Sequence, residues 1–176
     1  MASLILFVLI EALVPCAWCS SGEIDATTVV SYVIDGDTFD TTMGERIRLA
    51  DIDAPESGEP GYSSAKNFLY NAVYGKTVYL DIDDVNGVWQ RDPYGRLVCM
   101  VYVNHNSTHY RNVNEALLEA HYVVISNYQN EFNPYAWTLY ISKDSIPEYS
   151  SLALLLLVLM TILVAVAIYK RKSLHA

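Results

Sequence analysis

The sequence predicts an α+β protein, built as a five-stranded closed β-barrel with packed helices and followed by one C-terminal transmembrane helix. Five short segments rich in β-branched and aromatic residues are separated by turn residues, which is typical of strands. Two further segments have the spacing of amphipathic helices. Near the end of the chain, a run of 20 uncharged, mostly apolar residues is long enough to cross a bilayer.

The five strands are predicted at residues 29–34, 38–42, 46–52, 77–82 and 97–103. Asp35-Gly36 and Met43-Gly44 supply turn residues between the first three strands, and Pro55 ends the third. The third strand alternates polar and apolar residues, so we expect one of its faces to lie in the core.

The helices are predicted at residues 64–74 and 112–120. In the first, apolar residues recur at Ala65, Phe68 and Ala72, and Gly75 follows as a natural C-terminal stop. Five strands interrupted by helices fit the oligonucleotide-binding (OB) fold, which is a five-stranded barrel.

The C-terminal apolar run covers residues 150–169, and the basic cluster Lys170-Arg171-Lys172 follows it directly. Such a cluster is typical of a stop-transfer segment whose positive flank stays in the cytoplasm. A buried core helix is disfavoured because the run has no polar face. We therefore expect a single-pass cell-membrane protein, anchored by residues 150–169, with residues 170–176 as a basic cytoplasmic tail.

Residues 1–21 are expected to be a signal peptide whose apolar region spans residues 4–10. An uncleaved N-terminal membrane segment is the alternative, since no Lys or Arg precedes the run and Glu11 interrupts it. Both interpretations place the predicted domain, residues 22–145, outside the cytoplasm. There the triplet Asn106-Ser107-Thr108 would be a usable N-glycosylation acceptor.

Composition excludes several classes of protein. The net charge of −9 excludes a strongly basic surface that attracts nucleic acid. With three cysteines the chain is not a disulfide scaffold. Cys99 lies in an apolar strand and is expected to be a buried thiol, and Trp137 and Tyr140 are expected to be core residues.

Several charged residues lie where they could carry out chemistry. Asp37 follows a turn, Asp53 ends the third strand and Glu56 follows three residues later. Arg48 lies inside a strand, where a buried charge needs an anionic partner: a nearby Asp or a phosphate, whose oxygens a guanidinium binds at two points. Together with Arg96 and a hard divalent cation, these groups suffice for phosphodiester hydrolysis.

Taken together, these residues resemble the staphylococcal nuclease (thermonuclease-like) family. The resemblance covers roughly residues 28–125, in the order and spacing of the family. The matching stretches are Val33-Ile34-Asp35-Gly36-Asp37-Thr38, Ile47-Arg48-Leu49 through Asp53-Ala54-Pro55-Glu56, Asp92-Pro93-Tyr94-Gly95-Arg96, and Asn114-Glu115-Ala116-Leu117-Leu118.

The resemblance implies a calcium-dependent (Ca2+) nuclease on an OB-fold barrel. It implies roles for seven residues: Asp37, Asp53 and the backbone carbonyl of Ala54 as metal ligands, Arg48, Glu56 and Arg96 as catalytic residues, and Tyr94 as a substrate-binding residue. The sequence departs from the family in its short acidic loop after Glu56 and in His121, where a helix-ending glycine is usual. Beyond residue 125 the similarity fades.

The predicted function is therefore hydrolysis of phosphodiester bonds in DNA, and in RNA as a further candidate substrate, on the outer face of the membrane. The alternative is a catalytically weak nucleic-acid-binding OB-fold module anchored at the cell surface. The presence of Arg48, Glu56 and Arg96 together favours the enzyme. No obligate protein partner is evident from the sequence.

Overall fold

The structure is a computed structural model that describes residues 23–85 and 87–145. The predicted signal peptide, transmembrane helix and cytoplasmic tail lie outside these residues. Within the described residues, no helix is both long and apolar enough to span a membrane.

The described chain contains nine strands, two α-helices and two 3-10 turns. In chain order they are β1 (Ala26–Val33), β2 (Thr38–Thr41), β3 (Arg46–Leu49), β4 (Ile52–Asp53), α1 (Tyr62–Val73), β5 (Thr77–Ile82), β6 (Leu97–Asn104), β7 (His109–Asn112), α2 (Val113–Glu119), β8 (Val124–Ile125), a 3-10 turn (Pro134–Ala136), β9 (Tyr140–Ser142) and a second 3-10 turn (Lys143–Ser145).

Five of these strands form a closed barrel. Antiparallel pairing joins β3 to β2, β2 to β1, β1 to β5 and β5 to β6. A parallel pairing of β3 with β6, from Ile47 opposite Leu97 to Leu49 opposite Cys99, closes the ring. The barrel and its two helices confirm the predicted α+β architecture and agree with the OB-fold.

The barrel interior is filled by every second residue of its strands, as the alternation of strand side chains requires. On β5, Val78, Leu80 and Ile82 point into the core. Helix α1 covers the barrel with Ala65 and Leu69, which are one helical turn apart and fully buried. Cys99 is also fully buried, as the sequence predicts.

The predicted third strand is interrupted. Residues 46–52 form β3 and β4 instead of one continuous strand, and the break lies at Asp51, whose φ is 53°. This left-handed backbone conformation cannot belong to a strand. The short strand β4 pairs with β8 rather than with the barrel, so the residues after Asp51 leave the barrel wall.

Strands β7 and β9 extend the sheet beyond β6 and were not part of the prediction. The segment that leads to β9 covers the outer face of the barrel, where Phe132 and Trp137 pack around Met100 and Tyr102. Trp137 is thus a partly buried packing residue, as expected. The expectation for Tyr140 is wrong: it stays 44% exposed, because it lies on the terminal strand β9 and contacts the ring of His105.

Candidate active site

The candidate site begins with a close approach between the loop after β1 and the residues after β4. A Cβ added at Gly36 would lie 2.7 Å from the Cβ of Ala54 and 2.6 Å from the Cβ of Ala65. Only glycine permits this separation. The approach lets the Oδ2 atom of Asp37 accept a hydrogen bond from the backbone N–H of Ala54 at 2.8 Å.

Asp37 is buried and its carboxylate is held by several groups. Besides the Ala54 N–H, the hydroxyl of Thr38 donates to Oδ1 at 2.9 Å, and Oδ2 lies 2.9 Å from Nη1 of Arg48. The backbone N–H of Asp37 donates to Oδ1 of Asp35 at 3.1 Å. These contacts fix the orientation of the carboxylate before any ligand binds.

Arg48 joins the two predicted metal carboxylates. Its Nη1 atom pairs with Asp37, and its Nη2 atom lies 3.1 Å from Oδ1 of Asp53. The guanidinium also donates to the backbone carbonyl of Leu49 at 3.2 Å. The Arg48 side chain is only 11% exposed, so the anionic partner that the sequence required is a pair of aspartates.

The environment of Asp37 changes its acidity. Burial raises the pKa of Asp37 to about 6, and the nearby Asp35 acts in the same direction. The charge of Arg48 and the hydrogen bonds from Ala54 and Thr38 lower the pKa of Asp37 and so limit the rise. These neighbours therefore favour the ionised form of the Asp37 carboxylate at neutral pH.

The donor chemistry at this position fits a hard divalent cation. Asp37 and Asp53 are carboxylates within reach of one guanidinium, and a carboxylate has about four lone-pair sites. Asp53 is 53% exposed on its side chain, and its Oδ2 accepts no hydrogen bond from the described residues. Ala54 follows Asp53 directly in the chain and offers a backbone carbonyl. Such oxygen ligands suit calcium.

Arg96 reaches the same area from the turn before β6. Its Nε atom lies 2.6 Å from Oδ2 of Asp92, and its Nη1 atom donates to the hydroxyl of Thr38 at 3.4 Å. Since Thr38 also bonds to Asp37, a single hydroxyl connects the second arginine to the predicted metal ligand.

Asp92 organises the turn that carries Arg96. Its Oδ1 atom accepts the backbone N–H groups of Tyr94 and Arg96 at 2.9 and 3.0 Å. Although burial opposes the change, these bonds and the Arg96 guanidinium lower the pKa of Asp92. Tyr94 is 83% exposed, with the Arg96 guanidinium 5.2 Å from its ring centre, so its ring is available to a substrate.

A cavity of about 460 Å³ lies beside the two arginines, within the range of volumes typical of ligand pockets. Arg48, Arg96 and Tyr94 line it, together with Tyr128 and Asn130. Asp37, Asp53 and Glu56 are not among its lining residues.

Glu56 is the predicted catalytic residue with the fewest contacts. Its side chain is exposed, and within the described residues its carboxylate accepts no hydrogen bond. Its backbone N–H donates to Oε2 of Glu59 at 2.8 Å. The chain therefore brings together Asp37, Arg48 and Asp53, with Arg96 joined through Thr38, and leaves Glu56 in solvent three residues beyond Asp53.

Sequence reasoning missed the roles of Thr38 and Asp92, although both lie within the stretches that carry the family resemblance. It also missed a separate acidic group. Glu23, Asp25 and Asp84 bring carboxylate oxygens within 4.8 Å of one another. None of these three belongs to the predicted set of metal ligands.

Comparison with known proteins identifies the family of the chain. The family described as "Staphylococcal nuclease homologue" matches residues 46–143, more than half of the chain. The chain belongs to this family.

Individual relatives match shorter stretches. The chain is 38% identical over 76 residues to the micrococcal nuclease of Shigella flexneri, covering 42% of this chain and 40% of that protein. It is 36% identical over 96 residues to Protein ParB of Escherichia coli, covering 51% of each. It is 35% identical over 94 residues to an uncharacterized endonuclease of Escherichia coli O157:H7, covering 52% of this chain and 55% of that protein. The chain thus spans about half the length of these relatives.

Proposed function

We propose that the protein is a calcium-dependent nuclease that hydrolyses phosphodiester bonds of DNA and RNA on the outer face of a membrane. The observation that carries this proposal is the bridge from Asp37 through Arg48 to Asp53, with Arg96 joined to it through Thr38. Two guanidinium groups and two carboxylates at one end of a barrel suit the binding of a phosphodiester and a hard cation.

The two arginines bind and neutralise the phosphate. A guanidinium has five N–H donors in a planar fork. The bonds of Arg96 within the described residues use Nε and Nη1, which leaves the Nη2 donors for a phosphate oxygen. Arg48 is held in place by its carboxylates, so little side-chain entropy is lost when a phosphate binds.

Asp37, Asp53 and the carbonyl of Ala54 would hold the calcium ion. When bound, the ion would add positive charge where negative charge develops on the phosphate oxygens. The hydrogen bonds from Ala54 and Thr38 orient Asp37 for this purpose.

Glu56 is the group that can accept a proton from an attacking water. A general base must reach the proton that it accepts, directly or through one water. The Glu56 carboxylate is exposed and accepts no hydrogen bond within the described residues, so a water molecule can approach it.

The alternative, a catalytically weak binding module, has one observation in its favour. Each arginine already has a carboxylate partner, Arg48 with Asp37 and Asp53, and Arg96 with Asp92. Together with the net charge of −9, this pairing predicts weak attraction to nucleic acid. Catalysis therefore has to be tested directly.

The decisive experiment assays the purified full chain on DNA and RNA with calcium and with a chelator. We expect cleavage only with calcium. The Glu56→Gln variant keeps the shape of the side chain and removes the base, so we expect a rate loss of about 10²–10⁴-fold with an unchanged melting temperature. Glu59→Gln, which removes a charge from the same exposed turn, is the matched control and should cut at the wild-type rate.

A Glu56→Gln variant that cuts at the wild-type rate would contradict the assignment of Glu56. A wild-type chain that binds oligonucleotides without cutting them would favour the binding module.

The location outside the membrane is supported by the apolar run at residues 150–169 and the basic residues after it. We expect protease added to intact cells to digest residues 22–145 and to spare the cytoplasmic tail. Asn106 offers a second readout, because it is exposed in the β6–β7 turn, where a glycan would be accepted. A protected domain would show that the chain is oriented the other way or is not in the surface membrane.

A further inference from the structure

Asp51 is a buried residue that has no role in the chemistry proposed above. It is only 1% exposed, and its φ of 53° lies in the left-handed region. Its Oδ2 atom is buried without a hydrogen-bond partner among the described residues. A glycine would adopt this backbone conformation without strain, and it would bury no unpaired oxygen. Strained backbone conformations of this kind are concentrated at functional sites.

The contacts of Asp51 lead to one segment, residues 126–130. Its Oδ1 atom accepts the backbone N–H of Tyr128 at 3.0 Å and the side-chain Nδ2 of Asn130 at 2.7 Å. Its backbone carbonyl accepts the N–H of Ser126 at 2.9 Å. These bonds continue the β4–β8 pairing, in which Asp53 lies opposite Val124. Asp51 thus fastens this segment to the strand that carries a predicted metal ligand.

The fastened segment lines the cavity beside the two arginines. Tyr128 and Asn130 share that cavity with Arg48 and Arg96. Tyr128 remains 61% exposed, so only its backbone is held by Asp51 and its ring is free to contact a ligand.

We infer that Asp51 is a positioning residue: it holds residues 126–130 as a wall of the substrate cavity and thereby sets the affinity for the nucleic acid rather than the rate of the chemical step. This inference rests on the proposed nuclease function. Asp51 itself also lines this cavity, but its Oδ1 atom is occupied by Tyr128 and Asn130, so we expect its removal to loosen the segment and to leave Arg48 and Arg96 unchanged.

Three variants separate this role from a general effect on folding. Asp51→Gly suits the left-handed backbone and removes the side-chain bonds. Asp51→Asn keeps the Oδ1 acceptor and tolerates the same conformation. His121→Gly is the matched control, because His121 has a φ of 57° at an exposed helix end and does not line the cavity.

The first measurement is amide hydrogen exchange on the full chain, which needs no substrate. We expect faster exchange at Tyr128 in Asp51→Gly, because its N–H loses its side-chain acceptor, and a smaller change at Ser126, which still donates to the backbone carbonyl of residue 51. Exchange in Asp51→Asn and in His121→Gly should match the wild type at these amides. Unchanged exchange in Asp51→Gly would overturn the inference.

The second measurement is the steady-state kinetics of cleavage of a single-stranded DNA oligonucleotide. For Asp51→Gly we expect KM to rise about tenfold, as the loss of one or two hydrogen bonds implies, with kcat within about twofold of the wild type. Asp51→Asn should restore KM, and His121→Gly should leave both constants unchanged. A fall in kcat at constant KM would overturn the inference, since Asp51 would then act on the chemistry.

Asn130→Ala keeps the test decisive if Asp51→Gly does not fold, since it removes one bond at a half-buried position. It should also raise KM, and an unchanged KM would overturn the inference. A wild-type chain that neither cuts nor binds the oligonucleotide would overturn the proposed function together with the substrate part of this inference. A wild-type chain that cuts, with an Asp51→Gly variant identical to it, would overturn the inference alone.

Discussion

Two buried carboxyl groups of the barrel, Asp37 and Asp81, are 6% and 5% exposed and yet have different surroundings. Burial raises the pKa of Asp37 to about 6, against the opposing effects of Arg48 and the Ala54 N–H. Burial raises the pKa of Asp81 to about 8, and the charges of Glu131, Asp25 and Glu23 add to the rise. A hydrogen bond from the N–H of Glu23 opposes this rise at Asp81.

The difference lies in charge balance rather than in burial. We call the residues around Asp81 the acidic patch, which consists of Glu23, Asp25, Asp81, Asp83, Asp84 and Glu131. Within residues 23–85 and 87–145, no member of the patch forms an ion pair with a basic side chain. At the candidate site, by contrast, Arg48 contacts the buried carboxylate of Asp37. The positive charge of Arg48 therefore opposes the effect of burial on the pKa of Asp37, and Asp81 has no such basic neighbour in the described part of the chain.

The largest effect, a loss of cleavage rate, is expected from a substitution of Arg48. Arg48→Lys keeps the charge but removes the fork that joins Asp37 to Asp53. We expect a rate loss of about 10²–10³-fold on DNA, measured under calcium saturation, with little change in melting temperature.

Arg46→Lys is the matched control, because Arg46 lies two residues earlier on β3 and forms an exposed ion pair with Asp40. Exposed pairs contribute little, so this variant should cut like the wild type. If Arg48→Lys also kept the wild-type rate, the contact of the Arg48 fork with both Asp37 and Asp53 would have no part in catalysis.

A smaller effect is expected from separating the two chain segments that meet at the site. Gly36→Ala would place a methyl group against the Cβ atoms of Ala54 and Ala65. Overpacking of this kind costs about 1–3 kcal/mol, which thermal unfolding of the full chain in detergent would measure. The loop must also move away from Ala54, so we expect weaker calcium binding by calorimetry.

Gly44→Ala is the control that distinguishes backbone strain from the overpacking expected in Gly36→Ala. Gly44 has a φ of 83° and open space around it, so alanine there costs backbone strain but leaves Asp37 in place. We expect a loss of stability with unchanged calcium affinity. Equal calcium affinity in Gly36→Ala and the wild type would mean that the approach of the two segments does not shape the metal site.

The barrel was predictable from the sequence because its signals are local. Alternating apolar residues and the turns at Asp35-Gly36 and Met43-Gly44 identify the strands over a few residues. Strand β7 was missed because its four residues are mostly polar, and β9 because it has only three residues. The break at Asp51 was also missed: Leu49 and Ala50 are both apolar and interrupt the alternation only once, and the left-handed turn is held by a bond to Tyr128, 77 residues away in the chain.

In the candidate site, too, local features were predictable from the sequence and long-range contacts were not. The sequence of β3 alone predicts that Arg48 has an anionic partner, since an unpaired buried charge is costly. The bond of Thr38 to Arg96 joins residues 58 positions apart, and no spacing in the sequence encodes it. The roles of Asp37 and Asp53 as metal ligands and of Glu56 as a base remain predictions.

The acidic patch supplies the last and smallest expected effect. Because the pKa of Asp81 is raised in the folded state, the folded chain binds more protons than the unfolded chain between pH ~4 and ~8. The free energy of unfolding therefore falls as pH rises through this window and levels off above about pH 8. Asp81→Asn cannot ionise and keeps an oxygen to accept the Glu23 N–H. It should match the wild type near pH ~4 and exceed it by about 1–3 kcal/mol near pH ~8.

Urea unfolding of the full chain in detergent across this range checks the slope. Some slope should remain in the variant, since burial raises the pKa of Glu131 to about 7. The control Asp144→Asn removes an exposed carboxyl group outside the patch and should leave the slope unchanged. Parallel curves for Asp81→Asn and the wild type would mean that Asp81 is ionised in the folded chain, and the contrast with Asp37 would then not depend on arginine.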